Sequence, residues 1–201
     1  YPYELLREAN VLSTINILQF ANTVKPKEIN YISTLTVSNY TNENDNFPKE
    51  LTKLEFDNNN LLNNGYVTTK LVSELLLKKA YKCGLKIKIF RLNYIFNKEE
   101  NSFVFDNNNH FYSLIAGCIQ LGVYPKTDVI FDISPVEFVS DIIIKLIMDR
   151  KAYGIIYNFS NPYKLSWEEL TFSLRKKGLK LKLISLEKWL HILNNLSERN
   201  P

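Results

Sequence analysis

Ile29-Asn30-Tyr31-Ile32-Ser33-Thr34, then Gly65-Tyr66-Val67-Thr68-Thr69-Lys70, then Cys83-Gly84 and Lys86-Ile87-Lys88-Ile89-Phe90-Arg91-Leu92 are the pieces whose order decides the fold. The first reads as a short buried strand within Glu28 to Val37. Gly65 opens a helix over about 66–82, whose apolar face is Val72, Leu75, Leu76 and Ala80. Gly84 ends it, as glycine does at a helix C-terminus. Lys86 to Leu92 is a second strand. Strand, long loop, helix, glycine turn and strand form a βαβ unit, which requires a parallel sheet with a right-handed crossover. The fold class is α/β.

Outward from this unit the pattern continues. Leu5, Ala9, Leu12, Ile15 and Leu18 recur at helical spacing and predict a helix over 4–23. Residues 39–64 are polar and predict a long loop of the kind that serves as a lid or insertion; residues 97–110 predict another. His110 to Leu121 reads as a helix closed by Gly122 and Pro125, and Val129 to Phe131 as a short strand. Pro135 begins a helix ending near Met148, and Gly154 to Phe159 is a strand. Ser166 with Glu169 forms a capping box, and Gly178 ends that helix. Leu179 to Ile184 alternates Leu and Lys, which predicts an edge strand with one wet face. Ser185 caps a last helix through Leu193, and the tail from Asn194 to Pro201 is expected to fray.

The balance of 201 residues, 45% apolar and 23% charged, is that of a globular chain with room for one sizeable core. The formal net charge is +4, with lysines scattered rather than interleaved with aromatics. That speaks for a weakly basic surface and against nucleic-acid binding. Cys83 and Cys118 offer no pairing framework, so a reducing, cytoplasmic setting is expected. No signal-peptide pattern stands at the start, and no apolar run reaches the ~18 residues of a membrane span. His110 and His191 lack ligand spacing, so no metal site is expected.

Tyr66 and Lys70, four apart, project from one face of a helix. There an ammonium can hold a phenol in a more acidic form, and a nearby hydroxyl can help to polarise a carbonyl. The spacing alone is weak. With 12 Tyr in the chain, about one Tyr-xxx-Lys match arises by chance. The second match, Tyr94 to Lys98, falls where a strand runs into a polar loop.

Context singles out Tyr66. The stretches Ala9-Asn10-Val11-Leu12-Ser13-Thr14, Tyr31 to Val37, Gly65 to Glu74, Gly84 to Arg91, Gly117-Cys118-Ile119-Gln120-Leu121-Gly122 with Pro125, Pro135-Val136-Glu137, and Ser160-Asn161-Pro162 with Ser166-Trp167 occur in family order. Together they resemble the thioester reductase domains of the extended short-chain dehydrogenase superfamily. Such domains end many nonribosomal peptide and polyketide synthases and form the reductase part of α-aminoadipate reductase. Gly117 to Pro125 followed by Pro135-Val136-Glu137 is the least generic part.

The resemblance implies Thr34, Tyr66 and Lys70 as the catalytic set, and Tyr66, Lys70, Arg91 and Asn93 as cofactor-binding residues for NADPH. It implies hydride delivery to the carbonyl carbon of a phosphopantetheinyl carrier-protein thioester or an acyl-CoA, giving an aldehyde and a free thiol, or an alcohol where a second reduction follows. Thr34 and Tyr66 would donate to the developing oxyanion, Tyr66 would protonate it, and Lys70 would lower the tyrosine pKa from its usual ~10. Asn10 reads as a structural hydrogen-bonder and Glu74 as a helix-face salt bridge.

It also implies a partial Rossmann-like sheet. Residues 1–96 would be the C-terminal part of a cofactor-binding domain. Residues 97–201 would be mainly a small α+β substrate- and carrier-binding subdomain, with strand 154–159 able to return to the sheet. Upstream domains of a larger synthase would be partners. The pattern departs from the family at Arg91-Leu92-Asn93, where Arg-Pro-Gly is usual, at Ser13 in place of Gly and at Thr69 in place of Ser. The Gly-x-x-Gly-x-x-Gly turn of such domains is absent from the six glycines at 65, 84, 117, 122, 154 and 178. A fragment of a longer domain, or a decayed reading frame, is therefore expected. Two alternatives stay open: a fatty acyl-CoA reductase, which shares Tyr-xxx-Lys but not the Gly117 to Pro125 stretch, and a non-catalytic remnant.

Overall fold

The computed structural model describes residues 1–42, 45–48, 64–96, 110–150 and 152–199. The loops read at 39–64 and 97–110 lie largely outside the described residues. In chain order, α1 (Tyr3–Arg7), a π turn (Glu8–Leu12) and α2 (Ser13–Ala21) run on as one helical stretch. β1 (Ile29–Thr34) leads through a 3₁₀ turn (Leu35–Tyr40) to the antiparallel pair β2 (Thr41–Asn42) and β3 (Asp45–Pro48). α3 (Gly65–Lys82), β4 (Ile87–Leu92), β5 (Tyr94–Phe96), α4 (His110–Leu121), β6 (Val123–Pro125), β7 (Ile130–Phe131) and β8 (Ile133–Pro135) follow. α5 (Val136–Met148), β9 (Ile155–Asn158), β10 (Leu165–Ser166), α6 (Trp167–Lys176), β11 (Lys182–Ile184) and α7 (Leu186–Arg199) complete the order.

These elements form two compact units. The first comprises Tyr1–Phe96 and Ser134–Asn161. Its parallel sheet has the order β1-β4-β9, with Ile29 opposite Ile87, Thr34 opposite Leu92, and Lys88 opposite Ile155. β4 is central, and Ile87 to Arg91 are all buried, as a strand covered on both faces should be. Alternation sends Ile87, Ile89 and Arg91 to one face and Lys88 and Phe90 to the other. On the first face Ile87 and Ile89 pack with Ile29, Ala21 and Leu77. On the second, Lys88 is 1% exposed and its Nζ donates to the carbonyls of Leu146, at 2.5 Å, and of Asp149. That ammonium caps the C-terminus of α5, where carbonyls lack helical partners and the helix dipole favours a cation.

α3 starts where Asn64 accepts from the Val67 N–H at 3.2 Å. Gly65 is there for closeness of approach: a Cβ would lie 2.5 Å from the backbone of Pro2 and Tyr3. Only glycine lets the N-terminal segment cross the start of α3 at that distance.

The second unit comprises Asn97–Ile133 and Pro162–Pro201. Its core is Cys118, Tyr124, Phe131, Trp167, Leu181 and Trp189. Phe111 meets Phe131 edge-on at 5.0 Å, and the Trp167 indole N–H donates to the Pro125 carbonyl at 2.8 Å. The Ser166–Glu169 capping box is present. Lys182 to Ile184 pairs in parallel with Val123 to Pro125, so the residues after Gly122 form a strand where the sequence predicts only a helix stop. α7 continues to Arg199 instead of fraying after Leu193. Leu196 extends the apolar spacing, and Asn195 bonds His191 one turn back at 3.1 Å. Among the described residues no helix is long and apolar enough to cross a membrane.

Candidate active site

Thr34 ends β1, Tyr66 and Lys70 occupy the first turns of α3, and Arg91 and Asn93 lie at the end of β4. All five belong to the first unit. In parallel sheets the carboxyl ends of the strands are where ligands bind. The pairing of Ser33 with Arg91 and of Thr34 with Leu92 sets the two strand ends side by side.

Alternation along β1 separates Ser33 from Thr34. Ser33 turns into the core and is 4% exposed; its hydroxyl donates to Glu74 Oε1 at 2.5 Å. Thr34 stays half-buried, and its hydroxyl faces the Thr36 hydroxyl at 3.5 Å. Of the two hydroxyls, that of Thr34 is the more exposed. Tyr66 is 47% exposed. Partial burial pushes its phenol above the ordinary tyrosine value, so it stands protonated at neutral pH.

The Lys70 ammonium is held by two groups of β1. It donates to the Ile32 carbonyl at 3.0 Å and lies 4.9 Å from the centroid of the Tyr31 ring. Burial pushes its pKa below the ordinary lysine range, opposed by the negative charge of Glu74. The expected lowering of the Tyr66 pKa by Lys70 is therefore corrected: burial governs the phenol, and the ammonium is engaged on β1.

Arg91 and Glu74 are both fully buried and form an ion pair, with Arg91 Nη2 at 2.6 Å from Glu74 Oε2 and Nε at 3.1 Å from Oε1. The guanidinium braces the site from below, tying β4 to α3 one turn beyond Lys70. The Asn93 side-chain amide donates to the Ser134 hydroxyl at 2.8 Å. Asn10 lies in the π turn and donates to the Thr69 hydroxyl at 2.9 Å, while its carbonyl accepts from Thr14 and Ser73. Tyr31, Thr14 and Ser73 do not stand out in the sequence. Period-two alternation from Ile29 through Tyr31 to Ser33 is the signal that places Tyr31 on the helix-facing side of β1.

The residue types suit the nicotinamide and ribose end of a dinucleotide: a hydroxyl at the end of β1, an ammonium on the Ile32 carbonyl, and a half-exposed phenol one helical turn before that lysine. No glycine cluster in the chain offers a cradle for the pyrophosphate.

Comparisons with known proteins span residues of both units. An NAD-binding family model described as male sterility protein matches residues 1–143. The chain is 30% identical over 215 residues to a non-canonical nonribosomal peptide synthetase, cpsA, of Aspergillus campestris, covering 99% of this chain and 20% of that protein. It is 25% identical over 213 residues to the L-2-aminoadipate reductase large subunit of Eremothecium gossypii, covering 100% of this chain and 15% of that protein. The terminal R domain from the myxalamid PKS-NRPS biosynthetic pathway superposes with a TM-score of 0.82 at 28% identity, over 100% of this chain and 50% of that one. The chain thus spans a fifth or less of these curated relatives and half of that solved domain.

Proposed function

The chain belongs to the NAD-binding male sterility protein family, and from that premise we propose that it bears the acid half of a reductase site that converts a carrier-bound acyl or peptidyl thioester to an aldehyde. The observation that supports this is the Lys70 ammonium on the Ile32 carbonyl, two residues before Thr34 at the carboxyl end of β1, with Tyr66 one helical turn before Lys70 on α3. Relatives named as a nonribosomal peptide synthetase and an aminoadipate reductase support the substrate class. Bound NADPH supplies hydride to the carbonyl carbon.

Thr34 and Tyr66 donate hydrogen bonds to the carbonyl oxygen as it gains negative charge, an interaction that strengthens toward the transition state. Tyr66, protonated at neutral pH, gives that oxygen its proton, and the resulting thiohemiacetal collapses as its C–S bond breaks, leaving the aldehyde and the free thiol of the carrier. Lys70, with one ammonium donor on the Ile32 carbonyl, would use its other donors to bind ribose hydroxyls of the cofactor. Arg91 acts through Glu74, and Asn93 through Ser134, to shape the end of β4 that would serve the cofactor. Residues 1–96 serve the cofactor side and 97–201 mainly the substrate side, within a longer reductase whose partner is a phosphopantetheinyl carrier protein. Two unpaired cysteines, Cys83 and Cys118, support a cytoplasmic setting.

The test follows absorbance at 340 nm while the protein carrying these residues is given NADPH or NADH with an acyl-pantetheine thioester, and traps any aldehyde. Aldehyde formed in step with NADPH loss supports the proposal. Free acid without NADPH loss, or reduction of acyl-CoA alone, rejects it.

A further inference from the structure

We propose that Tyr31 is the positioning residue for Lys70: the face of its ring, together with the Ile32 carbonyl, seats the lysine ammonium at the carboxyl end of β1, two residues from Thr34. The role in turnover rests on the reductase reading; the seat itself does not.

A lysine head on four rotatable bonds needs partners to hold one place, and the usual partner on a helix is a carboxylate four residues on. Glu74 occupies that position, but its oxygens are taken. Oε1 accepts from Ser33 at 2.5 Å and from Arg91 Nε at 3.1 Å, and Oε2 accepts from Arg91 Nη2 at 2.6 Å. The ammonium instead meets the Ile32 carbonyl at 3.0 Å and the Tyr31 ring at 4.9 Å. The chemistry of this pair suits a residue that must hold its place and still act. A carbonyl takes one of the three ammonium donors. A ring face attracts the cation through its quadrupole and offers no acceptor that would tie up the remaining donors.

The seat is itself anchored. Burial raises the Tyr31 phenol above the ordinary tyrosine value, opposed by hydrogen bonds with Ser73 and Thr14 and aided by the charges of Glu74 and Tyr66, so the ring stays neutral beneath the ammonium. The hydrogen-bonding side chains of Ser73 and Thr14 neighbour the phenol. Both hydroxyls are tied to the Asn10 carbonyl in the π turn, Thr14 at 2.7 Å and Ser73 at 3.0 Å, and they meet each other at 3.3 Å. The π turn thus reaches the lysine through a chain of buried hydroxyls and one aromatic ring.

The seat has a spectroscopic signature. Ring currents of Tyr31 should shift the Lys70 ε-protons upfield of those of exposed lysines, read by NMR on the full chain labelled at lysine Cε and assigned with K70R. The expected result is an upfield Lys70 signal in the wild type and in Y31F, which keeps the ring. In Y31L, with the core methyl spectrum unchanged, that signal moves to the position of exposed lysines. In turnover, Y31L should lower kcat about five- to thirtyfold, and Y31F should stay within about twofold of wild type. A wild-type Lys70 signal among the exposed lysines, or one unmoved in Y31L, overturns the seat. A preparation inactive as a reductase sinks the reductase reading alone, because the ring-current shift decides the seat without turnover.

Discussion

The two units bury different things. Among the described residues, the buried polar and charged side chains Thr14, Ser33, Thr68, Thr69, Ser73, Glu74, Lys88, Arg91 and Ser134 all belong to the first unit. The second contributes Thr171, whose hydroxyl bonds back to its own helix at the Trp167 carbonyl. Its centre is otherwise Trp167, Trp189, Phe131, Tyr124, Leu181 and Cys118. A largely apolar core holds a shape and little more. A core threaded with satisfied charges and hydroxyls specifies where particular side chains stand, which is what chemistry needs. The candidate site lies on the polar unit.

The sharpest break between the units is chemical. Y66F should lower thioester reduction by about 10²- to 10⁴-fold and leave the melting temperature near that of wild type, because Tyr66 is half exposed. Rate assays beside thermal melts check this. Replacing an aromatic of the second core should do the reverse.

The next break is thermodynamic. E74A leaves the Arg91 guanidinium buried without its carboxylate, and should destabilise by about 3–5 kcal/mol in urea unfolding. The double variant E74M/R91M, which removes both charges, should recover much of that loss. W167A should also lose about 3–5 kcal/mol, through cavity formation and a lost hydrogen bond. No charge-balancing partner exists to restore it.

Smaller effects sharpen the contrast. Burial pushes the Cys118 thiol from 9.0 up to about 11. A group that ionises later when folded stabilises the fold below its unfolded pKa, and that contribution is lost as pH rises from about 9 toward 11. Unfolding at pH 8 and pH 10.5 should show this loss in wild type and not in C118A. S166A, at the surface of the same unit, should lose about 1 kcal/mol by removing the capping box.

Much of this arrangement was legible in the residues. The βαβ unit was readable because glycine at 84 and apolar periodicity at 72–80 punctuate it locally. Tyr66 and Lys70 could be read as a pair because the helix period sets residues four apart on one face, whereas Thr34 was singled out only by the family resemblance. The π turn at Glu8–Leu12 was not, since one extra residue per turn leaves no mark on a five-residue apolar pattern. The Lys70 seat was not either. It depends on Glu74 being taken by Arg91, a contact 17 residues away across a strand. The strand at Val123 to Pro125 was hidden because its partner lies about 60 residues on.

The most direct test of the reductase account follows one atom. NADPH carrying deuterium at the transferable C4 position is supplied with a carrier-bound acyl thioester, and the released product is read by mass spectrometry. The account predicts an aldehyde with one deuterium at the former thioester carbon, in step with NADPH loss. Release of unlabelled acid with NADPH intact would contradict it.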